Sequence, residues 1–408
     1  MISASIRRDL GPLRYRPFRI FVTGRVISTF GNALAPIALA FAVLDLTRSA
    51  ADLGLVVGAR SLANILFLLV GGVVADRLPR FAVMVSSSLV AAVSQGVVAV
   101  TVLTGTTSVS LLLVLAATNG IASALLQPAS QALTTETVPK ELLKRANAIK
   151  RLASQLTIVV GASVGSLIVA SSGPGWALAV DAVSFLLSGA CFLLLGRGGR
   201  PKRPAGGLSL PAELRAGWTE FLAQNWIWAG VLAFFVFNAA WSGAIQVLGP
   251  VVADETFGRR FWGLVVATQT VGMAIGTIIV LRLRTRFLLR VGAVAVSLAG
   301  LLPLAMGLAL PLVVLMFAGL VAGSGLAMFS VAWETSLQEH VPSDKLARVT
   351  SYDMAGSLVA IPFGQVLVGP VADAVGTRSV LVASAVVMVA AIALLLTNST
   401  VRTLAHHG

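Results

Sequence analysis

Among the charged side chains near or within long apolar stretches of this sequence, the candidates for chemistry are Arg25, Arg60, Asp181, Glu334 and Asp353. A charge at the centre of a hydrocarbon layer costs about 3 kcal/mol on insertion scales unless it faces protein or water. Such groups therefore mark ion pairs, substrate contacts or proton relays. The three carboxylates are candidate carriers of a transferred proton.

Arg25 follows the start of the first apolar stretch by about two helical turns. It could neutralise an acidic group, with Glu136 and Asp353 as candidates, or contact an anionic substrate. Its long side chain could equally extend to the near interface, where water solvates the guanidinium. Both interpretations stay open.

Arg60 and Asp181 lie deeper and carry opposite charges. At that depth no other pair of opposite charges is expected within reach of one another. We expect a structural ion pair, with proton carriage by Asp181 as the alternative.

Amide side chains are also spread through the apolar stretches. Asn32 and Asn238 occupy similar places in the first and seventh stretches. Amides at this depth either line a polar cavity or hydrogen-bond a neighbouring helix. With Trp241 as a possible aromatic wall, the candidate cavity residues are Asn32, Asn119, Gln127, Asn238, Trp241, Gln246, Gln269 and Gln365.

A short charged segment separates the second and third apolar stretches. It runs from Gly72 to Arg80 and contains Asp76 and Arg77. So short a connection predicts a tight hairpin at a membrane surface. Asp76 could form an ion pair in one conformation and release it in another, acting as a gate. Alternatively, it caps a helix while the arginines only set orientation.

The amino-acid composition indicates that the protein lies in a membrane. Of the 408 residues, 57% are hydrophobic and 11% are charged, whereas soluble proteins carry about 25% charged residues. Lipid must therefore solvate most of the surface. The net charge of +14 is attributed to membrane orientation and not to nucleic-acid binding. The single cysteine, Cys191, excludes a disulfide framework within the chain.

A membrane-spanning helix needs about 20 apolar residues. The sequence contains twelve such stretches, which predicts an all-α membrane protein with two six-helix bundles. The predicted spans are 18–44, 53–75, 81–104, 109–133, 146–171, 175–195, 226–252, 261–281, 287–308, 311–333, 349–371 and 378–397.

Lysine and arginine are distributed unevenly about these spans. On the side of the amino terminus lie 24 of the 30 basic residues. Because positive charge is retained in the cytoplasm, both termini are predicted to be cytoplasmic.

The two halves repeat. A shift of 203 residues superimposes Glu136–Pro139 on Glu339–Pro342 and Gly173 on Gly376. The predicted domains are an amino-terminal bundle (1–195), a cytoplasmic linker rich in Gly, Pro and Arg (196–225) and a carboxy-terminal bundle (226–408). Parallel repeats of this kind place a substrate between the halves near the midplane.

The hairpin sequence GGVVADRLPR, residues 71–80, resembles the loop signature of the major facilitator superfamily. Pro79 stands where that family usually has glycine. The resemblance implies transport by alternating access, with Gly72, Asp76, Arg77 and Arg80 as the gating motif.

Further sequence matches indicate one branch of this superfamily. Gly24-Arg25, Gly58-Ala59-Arg60 and Asp181-Ala182-Val183-Ser184-Phe185 are similar to the branch that contains the enterobactin exporter and the macrolide efflux proteins. That branch implies proton-driven export of amphiphilic small molecules such as drugs, antibiotics or siderophores.

Gly161-Ala162-Ser163-Val164-Gly165 resembles the antiporter signature of the fifth helix, in which small residues pack against the neighbouring half. Ala162 replaces its usual proline, and Ala116 stands where the family has an arginine. A proton site must therefore use other groups.

We expect a secondary active exporter in the plasma membrane, working as a monomer without a cofactor or metal. Its partners are the lipid bilayer, an amphiphilic substrate and the proton. An importer on the same fold is the alternative. A membrane enzyme is disfavoured because the sequence has no cluster of His, Cys and carboxylates, and ATP hydrolysis because it has no Gly-x-x-x-x-Gly-Lys loop.

Overall fold

The computed structural model of the chain describes residues 11–195, 221–222 and 224–405. The side chains of residues 69–77 and of Ala132, Thr135, Lys140, Ser343, Asp344, Ala347 and Arg348 lie outside that description. The described elements are helical. The predicted linker, 196–225, falls almost wholly outside the described residues, so the predicted domain boundaries stay a prediction.

Among the described residues, twelve helices are long and apolar enough to cross a membrane, which confirms the predicted fold class. The first six are α1 (Arg16–Thr47), α2 (Ala50–Arg77), α3 (Arg80–Leu103), α4 (Val109–Thr137), α5 (Leu143–Ser172) and α6 (Pro174–Leu194). The next six are α7 (Asn225–Glu255), α8 (Arg259–Arg282), α9 (Leu288–Gly307), α10 (Leu312–His340), α11 (Ser343–Leu358 with Ala360–Val375) and α12 (Thr377–Thr397).

Local sequence fixes several helix ends. Ser108 caps α4 by accepting a hydrogen bond from the backbone N–H of Leu111 at 3.3 Å. Gly173 precedes α6 with φ of 92°, and Gly376 precedes α12 with φ of 91°. Glycine adopts this conformation without strain. The two glycines occupy equivalent positions in the repeat, and both begin the last helix of their half.

The described residues fall into two compact units. The first contains residues up to 48 and 59–195, and the second contains 49–58 together with the described residues from 221 onward. The first turns of α2 belong to the second unit because Gly54 and Ala51 pack against the backbone of α11 at Gln365 and Gly369. Helix α2 is thus shared between the units.

Large side chains form a core in the first unit. Phe18, Phe21, Met84 and Phe192 are fully buried where α1, α3, α4 and α6 meet. Many apolar side chains elsewhere are exposed, for example Leu281 at 77%. Such exposure in water would cause aggregation, whereas lipid solvates these side chains.

Three described helices of the second unit are irregular, of which α9 contains a short 3-10 segment, Leu298–Gly300. Helix α7 contains a π-helical segment, Ser242–Leu248, and α11 is interrupted at Val359. The carbonyl oxygens of Ser357 and Ile361, on either side of that interruption, accept hydrogen bonds of 3.0 Å from Asn238 and Ser242. The irregular backbone of α11 is therefore satisfied by polar side chains of α7.

Candidate functional site

Arg60 joins three helices of the first unit. Its Nε donates a hydrogen bond to Oδ1 of Asn119 on α4 at 3.1 Å, and its Nη2 donates to Oδ1 of Asn32 on α1 at 3.4 Å. One turn later, the amide of Asn64 donates to the carbonyl oxygen of Gly120 at 3.1 Å. Gly120 permits this contact because a Cβ there would collide with the backbone of Arg60. Two amides therefore solvate the guanidinium inside the membrane span.

Asp181 is 0% exposed on α6. Its Oδ2 accepts a hydrogen bond of 2.5 Å from Nε2 of Gln95 on α3, and its Oδ1 lies 3.5 Å from Oγ of Ser184. Gly31 of α1 packs directly against Asp181 and Ser184. A larger residue at position 31 would displace the carboxylate from this pocket.

The predicted ion pair between Arg60 and Asp181 is not formed in this structure. Among the described residues, each charge is held by its own polar partners, although the two attract one another electrostatically. Gly31 and Asn32 are adjacent on α1, with Gly31 against the carboxylate and Asn32 bonded to the guanidinium. The ion-pair prediction was wrong because sequence depth alone does not show that amide partners lie nearer.

Arg25 lies near a second basic residue, Lys150 of α5, whose charge it repels. The Nζ of Lys150 donates to Oγ1 of Thr134 at 3.0 Å. The Nε of Arg25 is buried and has no hydrogen-bond partner among the described residues. Of the expected acidic partners, Glu136 pairs with Arg80, and Asp353 of the second unit accepts a hydrogen bond from Trp333. An anionic group placed here would be attracted by two cations.

The predicted gating motif is described only in part. Arg80 Nη1 and Glu136 Oε1 form an ion pair of 2.6 Å that links the start of α3 to the end of α4. The side chains of Asp76 and Arg77 and the surroundings of Gly72 lie outside the described residues, and the gating role of these residues stays a prediction.

Gly161 and Gly165 on α5 pack against α1. A Cβ at Gly161 would lie 2.7 Å from Cβ of Ala33, and one at Gly165 would lie 3.0 Å from Cα of Leu34. Their small size therefore permits close packing within the first unit, whereas the sequence suggested a contact with the neighbouring half.

The second unit contains a row of aromatic rings. Phe234 stacks on Phe329 with ring centroids 4.1 Å apart, and Phe329 stacks on Trp333 at 5.7 Å. Trp226 packs edge-on against Trp333 at 5.3 Å. The indole N–H of Trp333 donates to Oδ2 of Asp353 at 3.0 Å. These rings and Asp353 border a cavity of about 340 Å³ that Glu334 also lines.

The remaining predicted cavity residues have mixed surroundings. Nε2 of Gln365 donates to Oε1 of Gln246 at 2.8 Å, and Trp241 stacks on Phe237 at 6.4 Å. Gln127 is exposed and Gln269 is half-buried. Asn238 bonds backbone of α11, as described above. Several predicted cavity amides thus join helices within one unit.

Sequence reasoning missed three partners in these networks. Trp333 and Lys150 are not among the candidate residues, and Ser184 enters only as part of the matched segment 181–185. For Ser184 and Trp333, the available signal was their position within one turn of Asp181 and Glu334. Among the described residues, no group of three or more His, Cys, Asp or Glu side chains could hold a metal ion.

Twelve apolar helices in two compact units, with charges held inside the spans, define a multi-pass helical membrane protein. The Major Facilitator Superfamily model matches residues 21–364. The chain therefore belongs to this superfamily of membrane transporters.

Curated relatives agree with this assignment. The enterobactin exporter EntS of Escherichia coli O1:K1 is 26% identical over 371 residues, covering 88% of this chain and 86% of EntS. The uncharacterized MFS-type transporter YjbB of Bacillus subtilis strain 168 is 26% identical over 276 residues, covering 65% and 66%.

Solved structures share the fold. The nucleoside transporter NupG matches with a TM-score of 0.72 and 13% identity, covering 94% of this chain and 98% of NupG. A bacterial homologue of the iron transporter ferroportin, in an inward-facing state, matches with a TM-score of 0.72 and 16% identity, covering 94% and 98%. Because the chain belongs to this superfamily and its described residues contain twelve candidate spans, the protein is a multi-pass transporter of the plasma membrane.

Proposed function

We propose that this transporter exports amphiphilic small molecules from the cytoplasm in exchange for protons. Its two halves would alternate between inward-open and outward-open states, with both termini and the central linker in the cytoplasm. It would work as a monomer and leave its substrate chemically unchanged. The similarity to EntS over 88% of the chain is the observation that carries the direction of transport.

Carboxylates within the membrane-spanning helices support proton coupling. Asp181 is fully buried and accepts hydrogen bonds from Gln95 and Ser184. Protonation would neutralise its charge at this buried position. Asp353 and Glu334 line the aromatic cavity of the second unit. Each proton that enters down the membrane potential supplies about 2.3 kcal/mol per 100 mV, which could drive export.

Two basic residues of the first unit support binding of an anionic group on the substrate. Arg25 and Lys150 repel one another, and Arg25 has an unpaired buried Nε. An anionic group on a siderophore-like substrate would relieve that repulsion. The pair is therefore our candidate contact for acidic substrates.

The test is accumulation of a panel of amphiphilic drugs and catecholate siderophores in a host without its own efflux pumps. Cells that express the protein should accumulate less of at least one compound, and a protonophore should remove the difference. Greater accumulation on expression would instead support an importer. An effect that survives the protonophore would contradict proton coupling.

Two variants separate coupling from folding. Asp181→Asn keeps an oxygen acceptor for Gln95 but cannot carry a proton, so proton-driven export should fall at least tenfold while substrate exchange continues. Asp373→Asn, at an exposed carboxylate of α11, is the matched control and should export normally. Full export by Asp181→Asn would exclude Asp181 as the carrier.

A further inference from the structure

The aromatic cavity of the second unit has a defined wall. Helices α7, α10 and α11 supply its lining around a volume of about 340 Å³. Phe234, Phe329 and Trp333 form a continuous stack, with interplanar angles of 16° and 20° between successive rings. The wall thus presents aromatic surface in a fixed arrangement.

Packing behind the wall fixes its orientation. Gly230 of α7 lies directly under the indole of Trp333, where any Cβ would collide with the ring. Trp226 supports the same indole edge-on, with an interplanar angle of 68°, and the hydrogen bond to Asp353 fixes the position of its N–H. The ring needs little reorganisation when a ligand enters, which favours binding.

The charged residues in the described lining of this cavity are all acidic. Glu334 and Asp353 are acidic, and no lysine, arginine or histidine is part of the described lining. Asp353 accepts the Trp333 hydrogen bond through Oδ2, which leaves Oδ1 available. Glu334 has no hydrogen bond or ion pair to any described residue. Within the described lining, the half-buried Asp353 and the exposed Glu334 therefore have no counter-ion.

We propose that this cavity binds a lipophilic aromatic cation. The two carboxylates attract and neutralise a positive charge, and the aromatic and apolar lining accommodates aromatic groups. An anion of the same shape would meet two negative charges and be rejected. This inference names one substrate class for the proposed exporter and rests on that function for its physiological meaning.

Binding alone tests the inference. The purified full-length protein is titrated in detergent with tetraphenylphosphonium and with tetraphenylborate, which have nearly the same shape and opposite charge. Quenching of tryptophan fluorescence and calorimetry report binding. We expect tetraphenylphosphonium to bind at least tenfold more tightly. Equal affinity, preference for the anion, or no binding of the cation would overturn the inference.

Variants assign the binding to this cavity. Glu334→Gln and Asp353→Asn should each weaken tetraphenylphosphonium binding about tenfold, and Phe329→Leu should weaken it as well. Asparagine keeps an acceptor for the Trp333 N–H, and unchanged melting temperatures would verify folding. Asp373→Asn is the control carboxylate and should bind as the parent protein does. Cation binding that does not depend on Glu334 and Asp353 would place the site elsewhere and overturn the inference.

The two proposals fail in distinguishable ways. If tetraphenylphosphonium binds through these carboxylates but expression removes no compound from cells, the export proposal fails and the cation site stands. If compounds are exported in a protonophore-sensitive way while the cation does not bind, the exporter stands and the cation site fails.

Discussion

The guanidinium Nε of Arg60 donates to the side-chain oxygen of Asn119 at 3.1 Å. Through this bond an amide of α4 solvates a charge of α2 inside the membrane span. Asp181, the nearest candidate counter-ion by sequence depth, is instead held by Gln95. A cation and a carboxylate can thus coexist in one bundle without forming a direct ion pair.

Replacing Asn119 should destabilise the first unit. Asn119→Ala removes the acceptor of Arg60, and we expect a loss of about 1 kcal/mol, the usual scale of polar contacts between membrane helices. Thermal unfolding in detergent measures the effect. Thr118→Ala, which removes only a bond to Val114 within the same helix, is the control. An equal melting temperature for the two variants would show that the Arg60 bond contributes nothing.

Two glycine-to-alanine substitutions should act in opposite directions. Alanine is favoured over glycine in a helix by about 1 kcal/mol. At Gly96 the new Cβ would lie 4.0 Å from Cβ of Ala182, so Gly96→Ala should be neutral or stabilising. At Gly161 it would lie 2.7 Å from Cβ of Ala33, so Gly161→Ala should cost about 1–3 kcal/mol through overpacking. Melting temperatures in the reverse order would refute the packing role of Gly161.

The Arg80–Glu136 ion pair should contribute little to stability. Its side chains are 24% and 34% exposed, and ion pairs with such access to solvent are worth less than about 1 kcal/mol. A double-mutant cycle with Arg80→Gln and Glu136→Gln measures the coupling energy. A coupling above about 2 kcal/mol would show that the pair is effectively desolvated.

Membrane orientation can be measured with an impermeant maleimide on intact cells. In a Cys191→Ser background, Thr106→Cys in the connection between α3 and α4 should be labelled. Thr403→Cys, near the carboxy terminus, should react only after the cells are permeabilised. Both positions are exposed, so accessibility to water is matched. The opposite pattern would invert the proposed orientation and place the linker outside.

Hydropathy predicted the number and approximate position of all twelve spans because lipid imposes a minimum length on each helix. The helix ends were less predictable. Helix α4 continues to Thr137 and α10 to His340, beyond the apolar stretches that ended at 133 and 333. Those last turns carry polar residues and are stabilised by helical hydrogen bonds rather than by lipid.

Side-chain partners could not be predicted from the sequence. Depth placed Arg60 beside Asp181, but helix rotation decides which side chains meet. The interruption of α11 and the π-helical segment of α7 change that rotation locally, and no proline lies within 242–248 to indicate the latter. The polar bonds from Asn238 and Ser242 to α11 therefore became visible only in three dimensions.

The wide turn of α7 at Ser242–Leu248 amounts to one additional residue in an otherwise α-helical rod. Deleting one residue there would regularise the backbone and leave the residues downstream near their present orientation, whereas a deletion in a regular turn of α7 would rotate everything downstream by about 100°. Gly249, which lies against the ring of Trp262 on α8, would keep that contact only in the first case. A single-residue deletion within Ser242–Leu248 should thus be tolerated better than the same deletion in a regular turn of α7.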